Sequence, residues 1–200
     1  MPSDIIRIGP VFWISELAGV LLTFALVFLE MVSWALLAPT CLIAFFGGLL
    51  LIILAGRVGM TREGFFSSNV IVATVVTLLA LVIESFLISA WFNLSVSYPS
   101  KILLVNVLFA IYEETLFLGV AVAGKAAGLP DTYIIVICAL VFVPYHLFVY
   151  PIDMLLYIVV LGAARVTMDA SRFMTDHSDP SFLTHIIWNV LATLNLFGGI

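Results

Sequence analysis

Residues 11–55 read VFWISELAGVLLTFALVFLEMVSWALLAPTCLIAFFGGLLLIILA, an apolar stretch that Glu30 and Pro39 divide. A helix that crosses a bilayer needs about 20 predominantly apolar residues. The stretch is therefore too long for one crossing and fits two crossings joined by a short link, which we place at 11–29 and 33–55. Two crossings so close together predict a membrane protein.

The rest of the chain continues this pattern. Five further apolar runs are separated by polar or Gly- and Pro-containing breaks, at 69–92, 102–123, 132–149, 152–166 and 181–197. The breaks at 56–64 and 169–180 are interpreted as loops, with Asp179 and Pro180 starting the last helix. We therefore predict an all-α fold, a polytopic transmembrane helical bundle of about seven spans that forms a single integral membrane domain over residues 1–200.

The composition agrees with a membrane protein. Of the 200 residues, 64% are hydrophobic and 10% are charged, and the mean hydropathy is +1.28. A soluble domain carries roughly 25% charged residues. The seven Lys and Arg residues form no cluster, so the chain lacks the basic surface that nucleic acid requires. The lipid bilayer is the expected environment, and nucleic acid is excluded as a partner.

The basic residues predict the orientation of the bundle. A cytoplasmic N-terminus leaves only Lys101 outside and puts the other six on the cytoplasmic side, namely Arg7, Arg57, Arg62, Lys125, Arg165 and Arg172. Cytoplasmic loops of membrane proteins are enriched in Lys and Arg. We therefore predict a cytoplasmic N-terminus and an external C-terminus. The oligomeric state is left open.

Carboxylates inside the apolar runs are the first candidate functional groups, because a charge in hydrocarbon costs at least about 2.5 kcal/mol. Glu113 and Glu114 are adjacent near the middle of the fourth run. Neighbouring helical residues point about 100° apart, so the two side chains can serve different faces. Glu16 is interpreted as structural, whereas Glu84 is left open between a structural and a functional role.

Two histidines and an asparagine follow at helical spacing. Phe142 precedes His146 by four residues, and His185 precedes Asn189 by four, so each pair shares a helix face. A carboxylate held against an imidazole in a low-dielectric cavity can deprotonate water and so act as a general base. Neutral donors can stabilise the oxyanion of an amide undergoing attack by water. Taken singly, each histidine is equally a hydrogen-bonding group between helices.

Three motifs resemble those of the CPBP (or ABI) family, the CAAX-type prenyl protease and bacteriocin-processing membrane proteases. The family pattern Glu-Glu-x-x-x-Arg is similar to residues 113–118, with Leu118 in place of the arginine. Phe-x-x-x-His matches 142–146, and His-x-x-x-Asn matches 185–189. Their order and separations also fit, and together the motifs are more specific than any one of them.

The resemblance implies a glutamate-type intramembrane endopeptidase whose catalytic core is 102–197, preceded by N-terminal spans over 1–101. It assigns five site residues, Glu113, Glu114, His146, His185 and Asn189. In this assignment Glu113 activates water and His146 assists it, so we expect Glu113 to lie within one water's reach of His146. His185 and Asn189 form the oxyanion site. The implied partner is a membrane-associated protein or peptide substrate. No cofactor is assigned, although a metal role has been argued for the family.

The departure at Leu118 leaves alternatives open. An arginine there would lie one turn from Glu114 and pair with it. Without it, Glu114 is expected to be protonated, and Glu114→Gln to be tolerated, unless a distant residue such as Arg165 reaches the carboxylate. A catalytically silent scaffold that binds a partner is the first alternative. The second is a proton- or cation-coupled carrier that uses Glu84, Glu113 and Glu114.

The polar stretch 169–180 also contains metal-ligand residue types, namely Asp169, Asp176, His177 and Asp179. In a loop, such residues more simply form a solvated connection that ends in a helix cap. We therefore assign no metal to this stretch.

Overall fold

The computed structural model describes residues 5–29, 41–61, 67–92, 103–146 and 155–194. These residues form seven α-helices, one short π-helix and two short β-strands. In chain order the elements are β1 (Ile6–Ile8), α1 (Pro10–Phe28), the π-helix (Cys41–Phe46) that leads into α2 (Gly47–Ala55), β2 (Val58–Met60), α3 (Ser68–Phe92), α4 (Leu103–Ala126), α5 (Asp131–His146), α6 (Leu155–Thr175) and α7 (Asp179–Thr193). The predicted all-α bundle is confirmed.

Several helices suit a bilayer by length and composition. Within the described residues, Pro10–Phe28, Ser68–Leu87 and Leu103–Ala126 are long and apolar enough to cross a membrane, and two shorter helices are also apolar. A helix satisfies its backbone hydrogen bonds internally, which lipid requires. Large apolar side chains such as Phe28 and Leu54 are exposed on the outer surface, where lipid can cover them. The chain is an integral membrane protein.

Helix α4 is the centre of the bundle and packs against α1, α2, α5 and α7. Glycines let α2 and α4 approach closely, because a Cβ atom on Gly119 would lie only 2.6 Å from the carbonyl oxygen of Gly48. A Cβ atom on Gly48 would in turn overlap the backbone of Thr115. This contact fixes the helix that carries the adjacent glutamates.

The N-terminal strand β1 lies between β2 and the connection from α6 to α7. It pairs in parallel with β2, and Arg7 forms a bridge to His177. The Arg7 amide donates to the carbonyl oxygen of Asp176 at 2.8 Å, and the Ser178 amide donates to that of Arg7 at 2.9 Å. The loop predicted for 56–64 is therefore wrong at β2, where backbone pairing with β1 creates a strand.

Helix α6 ends at Thr175 rather than at 166, so the solvated loop predicted for 169–180 is wrong. Asp169 and Asp179 have no exposed surface. Asp179 is the first residue of α7, and its Oδ2 atom accepts a hydrogen bond from the Val11 amide at 3.2 Å. Both are buried because their charges are compensated inside the bundle, Asp169 by Arg165 and Arg172 of the same helix and Asp179 by the Val11 amide of α1.

Two of the six basic residues that motivated the predicted orientation lie inside the bundle. Arg165 and Arg172 are both in α6, and both are fully buried. The cytoplasmic N-terminus accordingly stays a prediction. The predicted start of the second helix and end of the fifth fall within 30–40 and 147–154, outside the described residues.

Candidate active site

Glu113 faces two histidines that belong to different helices. Its Oε1 atom lies 3.6 Å from Nε2 of His146 on α5, and its Oε2 atom lies 3.7 Å from Nε2 of His185 on α7. A single water molecule can hydrogen-bond both a carboxylate oxygen and an imidazole nitrogen at such separations. The expected approach of Glu113 to within one water's reach of His146 is therefore present.

His146 is held by the helix it ends. Its Nδ1 atom lies 2.9 Å from the carbonyl oxygen of Phe142, one turn earlier. Because a carbonyl can only accept, Nδ1 carries the proton and donates it. The imidazole also stacks on the Phe142 ring, with centroids 3.8 Å apart. The four-residue spacing of this motif thus directs the other nitrogen, Nε2, toward Glu113.

Glu114 points away from Glu113 into a second, fully buried cluster. Its Oε1 atom is contacted by Nη1 of Arg165 and by Nδ1 of His185, the latter at 2.9 Å. Its Oε2 atom accepts from Nη2 of Arg172 at 2.7 Å and from Oγ of Ser181 at 2.6 Å. The adjacent glutamates therefore serve different faces of α4, as their spacing predicted.

Asp169 completes this second cluster. It accepts from Nε of Arg165 at 2.8 Å and from Nη1 of Arg172 at 2.7 Å. Two carboxylates thus face two guanidinium groups, which is the balance that buried charges require. The protonated state expected for Glu114 is wrong, because the exception applies: Arg165 reaches the carboxylate, together with Arg172. Glu114 accepts hydrogen bonds here and does not donate them.

Asn189 is anchored to the beginning of α4. Its Nδ2 atom donates to the backbone carbonyl of Asn106 at 3.0 Å. Thr193 links the same two residues, accepting from Nδ2 of Asn106 at 2.8 Å and donating to the Asn189 carbonyl at 2.6 Å. The side-chain nitrogen of Asn189 carries two protons, and the Asn106 carbonyl accepts one of them. The other is available to a ligand.

Four of the predicted site residues line one cavity of about 100 Å³, namely Glu113, His146, His185 and Asn189. The remaining wall is largely apolar, with Phe109, Phe142, Leu161, Met168 and Trp188 among its side chains. A cavity of this size holds ordered water. Glu114 lies behind this surface and contacts it through His185.

Comparison with known proteins agrees with the motifs. Residues 95–191 match the model of the family described as Type II CAAX prenyl endopeptidase Rce1-like. Over this stretch, slightly less than half of the chain, the protein is similar to the CPBP family. Members are CAAX-type intramembrane endopeptidases, which act on membrane-associated proteins in the bilayer. The comparisons with curated proteins and with solved structures found no match.

The CPBP arginine position is apolar in this chain and is used for packing. Leu118 is fully buried in the hydrophobic core, next to Phe117. The guanidinium that contacts Glu114 comes instead from α6, and Cζ of Arg165 lies 4.4 Å from the centroid of the Phe117 ring. The departure from the CPBP pattern therefore does not leave Glu114 without a cationic partner.

Two other carboxylates within the bundle lie apart from the CPBP site. Glu16 on α1 accepts a hydrogen bond from Thr115, and Glu84 on α3 accepts one from Thr167. Each contact joins two helices. Neither carboxylate is among the side chains that line the cavity. These contacts favour a structural role for both residues.

Sequence reasoning missed several residues that support the CPBP motifs, namely Asn106, Asp169, Arg172 and Ser181. One signal was available, because Arg165, Asp169 and Arg172 follow an i, i+4, i+7 spacing and form one stripe on a helix. Extending the sixth helix through the polar stretch would have revealed it. Asn106 and Ser181 carry no comparable pattern.

Proposed function

We propose that this chain is an intramembrane endopeptidase that hydrolyses a peptide bond of a membrane-associated protein or peptide with water activated by Glu113. The observation that carries the proposal is the convergence of Glu113, His146, His185 and Asn189 on one cavity. These residues come from three helices and are separated by long stretches of chain. The similarity of residues 95–191 to the CPBP family supports the same class of reaction.

In the proposed reaction, a water molecule between Glu113 and His146 attacks the carbonyl carbon of the substrate. Glu113 accepts one proton from the water as the new C–O bond forms, and the π electrons of the carbonyl move to its oxygen. The tetrahedral intermediate then collapses and breaks the C–N bond. The leaving nitrogen takes the proton from Glu113, which returns the carboxylate to its starting state.

His146 assists as an acceptor in this scheme. Its Nδ1 proton is committed to the Phe142 carbonyl, so the neutral ring presents the Nε2 lone pair toward the water site beside Glu113. A water that donates to both groups is oriented with its own lone pairs toward the substrate. The two acceptors thus position the nucleophile before attack.

His185 and Asn189 supply the proposed oxyanion site. Asn189 offers the amide proton that Asn106 does not use. His185 donates its Nδ1 proton to Glu114, so its Nε2 atom carries a proton only in the imidazolium form. Carboxylates flank this ring on both sides, at Glu113 and Glu114. A cationic donor is well suited to a developing oxyanion.

We propose residues 102–197 as the catalytic core and 1–101 as supporting spans. Support for this division comes from the location of the cavity, whose lining residues all belong to α4, α5, α6 and α7. The earlier helices contribute packing, for example where the glycine contact of α2 fixes α4. The strand β1 covers the beginning of α7, the helix that carries His185 and Asn189.

The alternative of a silent scaffold depended on Leu118 and on a Glu114 without a cation. Arg165 and Arg172 both pair with Glu114, so this reason for the alternative no longer holds. The carrier alternative depended on a polar path through Glu84, which lies apart from the cavity lining. The endopeptidase accounts for the same residues with one site.

The proposal can be tested with purified protein in lipid nanodiscs. The probes are a farnesylated peptide ending in a CAAX sequence, the same peptide without the farnesyl group, and an apolar membrane-spanning peptide, with the products identified by mass spectrometry. We expect cleavage of at least one probe by the wild type and loss of cleavage in Glu113→Gln. Glu16→Gln is the matched control, because it changes a buried carboxylate outside the cavity and should remain active. Equal activity of wild type and Glu113→Gln would refute the mechanism.

A further inference from the structure

Helix α6 presents a stripe of charged residues to the two catalytic helices α4 and α7. Arg165, Asp169 and Arg172 each have no exposed surface. Both arginines contact Glu114, which lies 51 and 58 positions earlier in the chain. Such a fully buried stripe is costly unless every charge is paired and hydrogen-bonded. Here the pairing is made with a family motif residue and not with solvent.

The contacts divide the Glu114 carboxylate between its two oxygens. Arg165 Nη1 contacts Oε1, the same oxygen that accepts from Nδ1 of His185. Arg172 and Ser181 contact Oε2. Both arginines also donate hydrogen bonds to Asp169, and these bonds fix the orientation of their guanidinium planes. The carboxylate can therefore rotate or shift only if several hydrogen bonds break together.

We propose that Arg165 and Arg172 are positioning residues, which act through Glu114 to hold the His185 imidazole with its Nε2 atom toward Glu113. Arg165 fixes the oxygen that receives the His185 proton, and Arg172 fixes the other oxygen of the same carboxylate. From a second helix, α6, the two side chains supply the positive charge that Leu118 cannot supply. The catalytic consequence of this positioning rests on the proposed function, whereas the positioning itself does not.

The orientation of His185 depends on this arrangement for a simple reason. An imidazole can exchange its protonated nitrogen or rotate about χ2 unless an acceptor fixes one ring nitrogen. Glu114 is the acceptor at Nδ1, at 2.9 Å. If the carboxylate moves, the ring loses its fixed orientation, and Nε2 no longer lies at the present separation from Glu113. A misplacement of about 1 Å in such a site costs on the order of 10²-fold in rate.

The test uses a charge-balanced variant, because removing one arginine alone leaves a buried carboxylate short of a partner. Arg165→Met/Asp169→Asn removes one positive and one negative charge and leaves Arg172 with Glu114. Arg165→Lys keeps the charge but cannot make the forked contacts of a guanidinium. Lys125→Met is the matched control, because it removes a different buried cation, which pairs with Asp131 at 2.6 Å.

The first readout is ¹⁵N NMR of histidine-labelled protein, which contains three histidines. We expect the wild-type His185 signals to show a protonated Nδ1 atom. In Arg165→Met/Asp169→Asn the His185 Nδ1 signal should move away from its wild-type position, because its hydrogen bond to Glu114 is no longer fixed, while the signals of His146 and His177 keep their positions. Arg165→Lys should shift the His185 signals in the same direction by less, and it decides the question if the double variant does not fold. Unchanged His185 signals in the folded variant would overturn the proposal.

The second readout is the rate of cleavage of whichever probe the wild type cleaves. We expect kcat of Arg165→Met/Asp169→Asn to fall about 10²-fold, with KM changed by less than about threefold, and Lys125→Met to retain its kcat. An equal fall in the Lys125→Met control would point to general destabilisation and would overturn the assignment. If the wild type cleaves no probe, the proposed function fails, while the NMR result still decides the positioning.

Discussion

For the substitution Glu114→Gln, the effect expected from the structure differs most from the effect expected from helical spacing alone. With only Leu118 one turn away, a neutral amide at this position was expected to be tolerated. In the folded bundle the change removes one negative charge from a cluster of two carboxylates and two guanidiniums. It also places an amide N–H₂ where one of the carboxylate oxygens accepts from Arg172 or from His185.

The expected loss of stability follows from these contacts. Removing one partner of a buried ion pair costs roughly 3–5 kcal/mol, since the other charge stays buried without compensation. For a chain of this length, each kcal/mol lowers Tm by about 2–4 °C. Glu114→Gln should therefore lower Tm by roughly 6–20 °C. Glu113→Gln should lose only about 1 kcal/mol, because Glu113 faces histidines and no guanidinium.

Thermal unfolding of the purified variants in the same detergent measures this difference. The double variant Glu114→Gln/Arg172→Met restores the charge balance and should recover part of the lost stability, because neighbouring buried charges are not additive. A Tm of Glu114→Gln equal to that of Glu113→Gln would refute the reasoning. The reasoning would also be refuted if the double variant were less stable than Glu114→Gln by the full cost of removing a second buried charge.

Three further results are expected. Asn189→Ala should slow cleavage by about 10²–10³-fold as the loss of an oxyanion donor, and a change below about threefold in the initial rate would contradict that role. Gly48→Val should destabilise the protein by about 1–3 kcal/mol in thermal unfolding, because its side chain meets the backbone of α4. Gly47→Val is its control and should be neutral, since a Cβ atom there meets nothing within 4 Å. Reporter fusions within residues 56–61 and after Ile200 should report opposite sides of the membrane, and the same side for both would disprove the predicted topology.

Local spacing was enough to predict contacts within a helix. The stacking of His146 on Phe142 follows from their four-residue separation on α5, and the divergence of Glu113 and Glu114 follows from the 100° step between helical neighbours. Apolar length was likewise enough to predict the helices of the bundle, because lipid allows few other backbone conformations. Such features depend on residues that are close in sequence.

Polar segments were interpreted wrongly where their partners lie on other elements. The stretch after 166 looks like a loop because its charges suggest solvent, yet α6 continues to Thr175 and Arg172 pairs with Glu114 of α4 inside the bundle. The sequence pattern did not predict the strand β2 either, since its side chains carry no strand pattern and its partner β1 is about 50 residues earlier. In both cases a distant contact outweighed the local preference.

The sequence by itself determined a helical membrane protein and the side chains able to hydrolyse an amide, because apolar length and helical spacing are local properties. Only the tertiary structure decided which of those side chains meet and what charge each one faces. Glu114 gains its cations from Arg165 and Arg172 because α6 packs against α5 and α7, which both pack on α4, so that its arginines reach the face of α4 that carries Glu114. No spacing within a single helix encodes which faces of different helices come into contact.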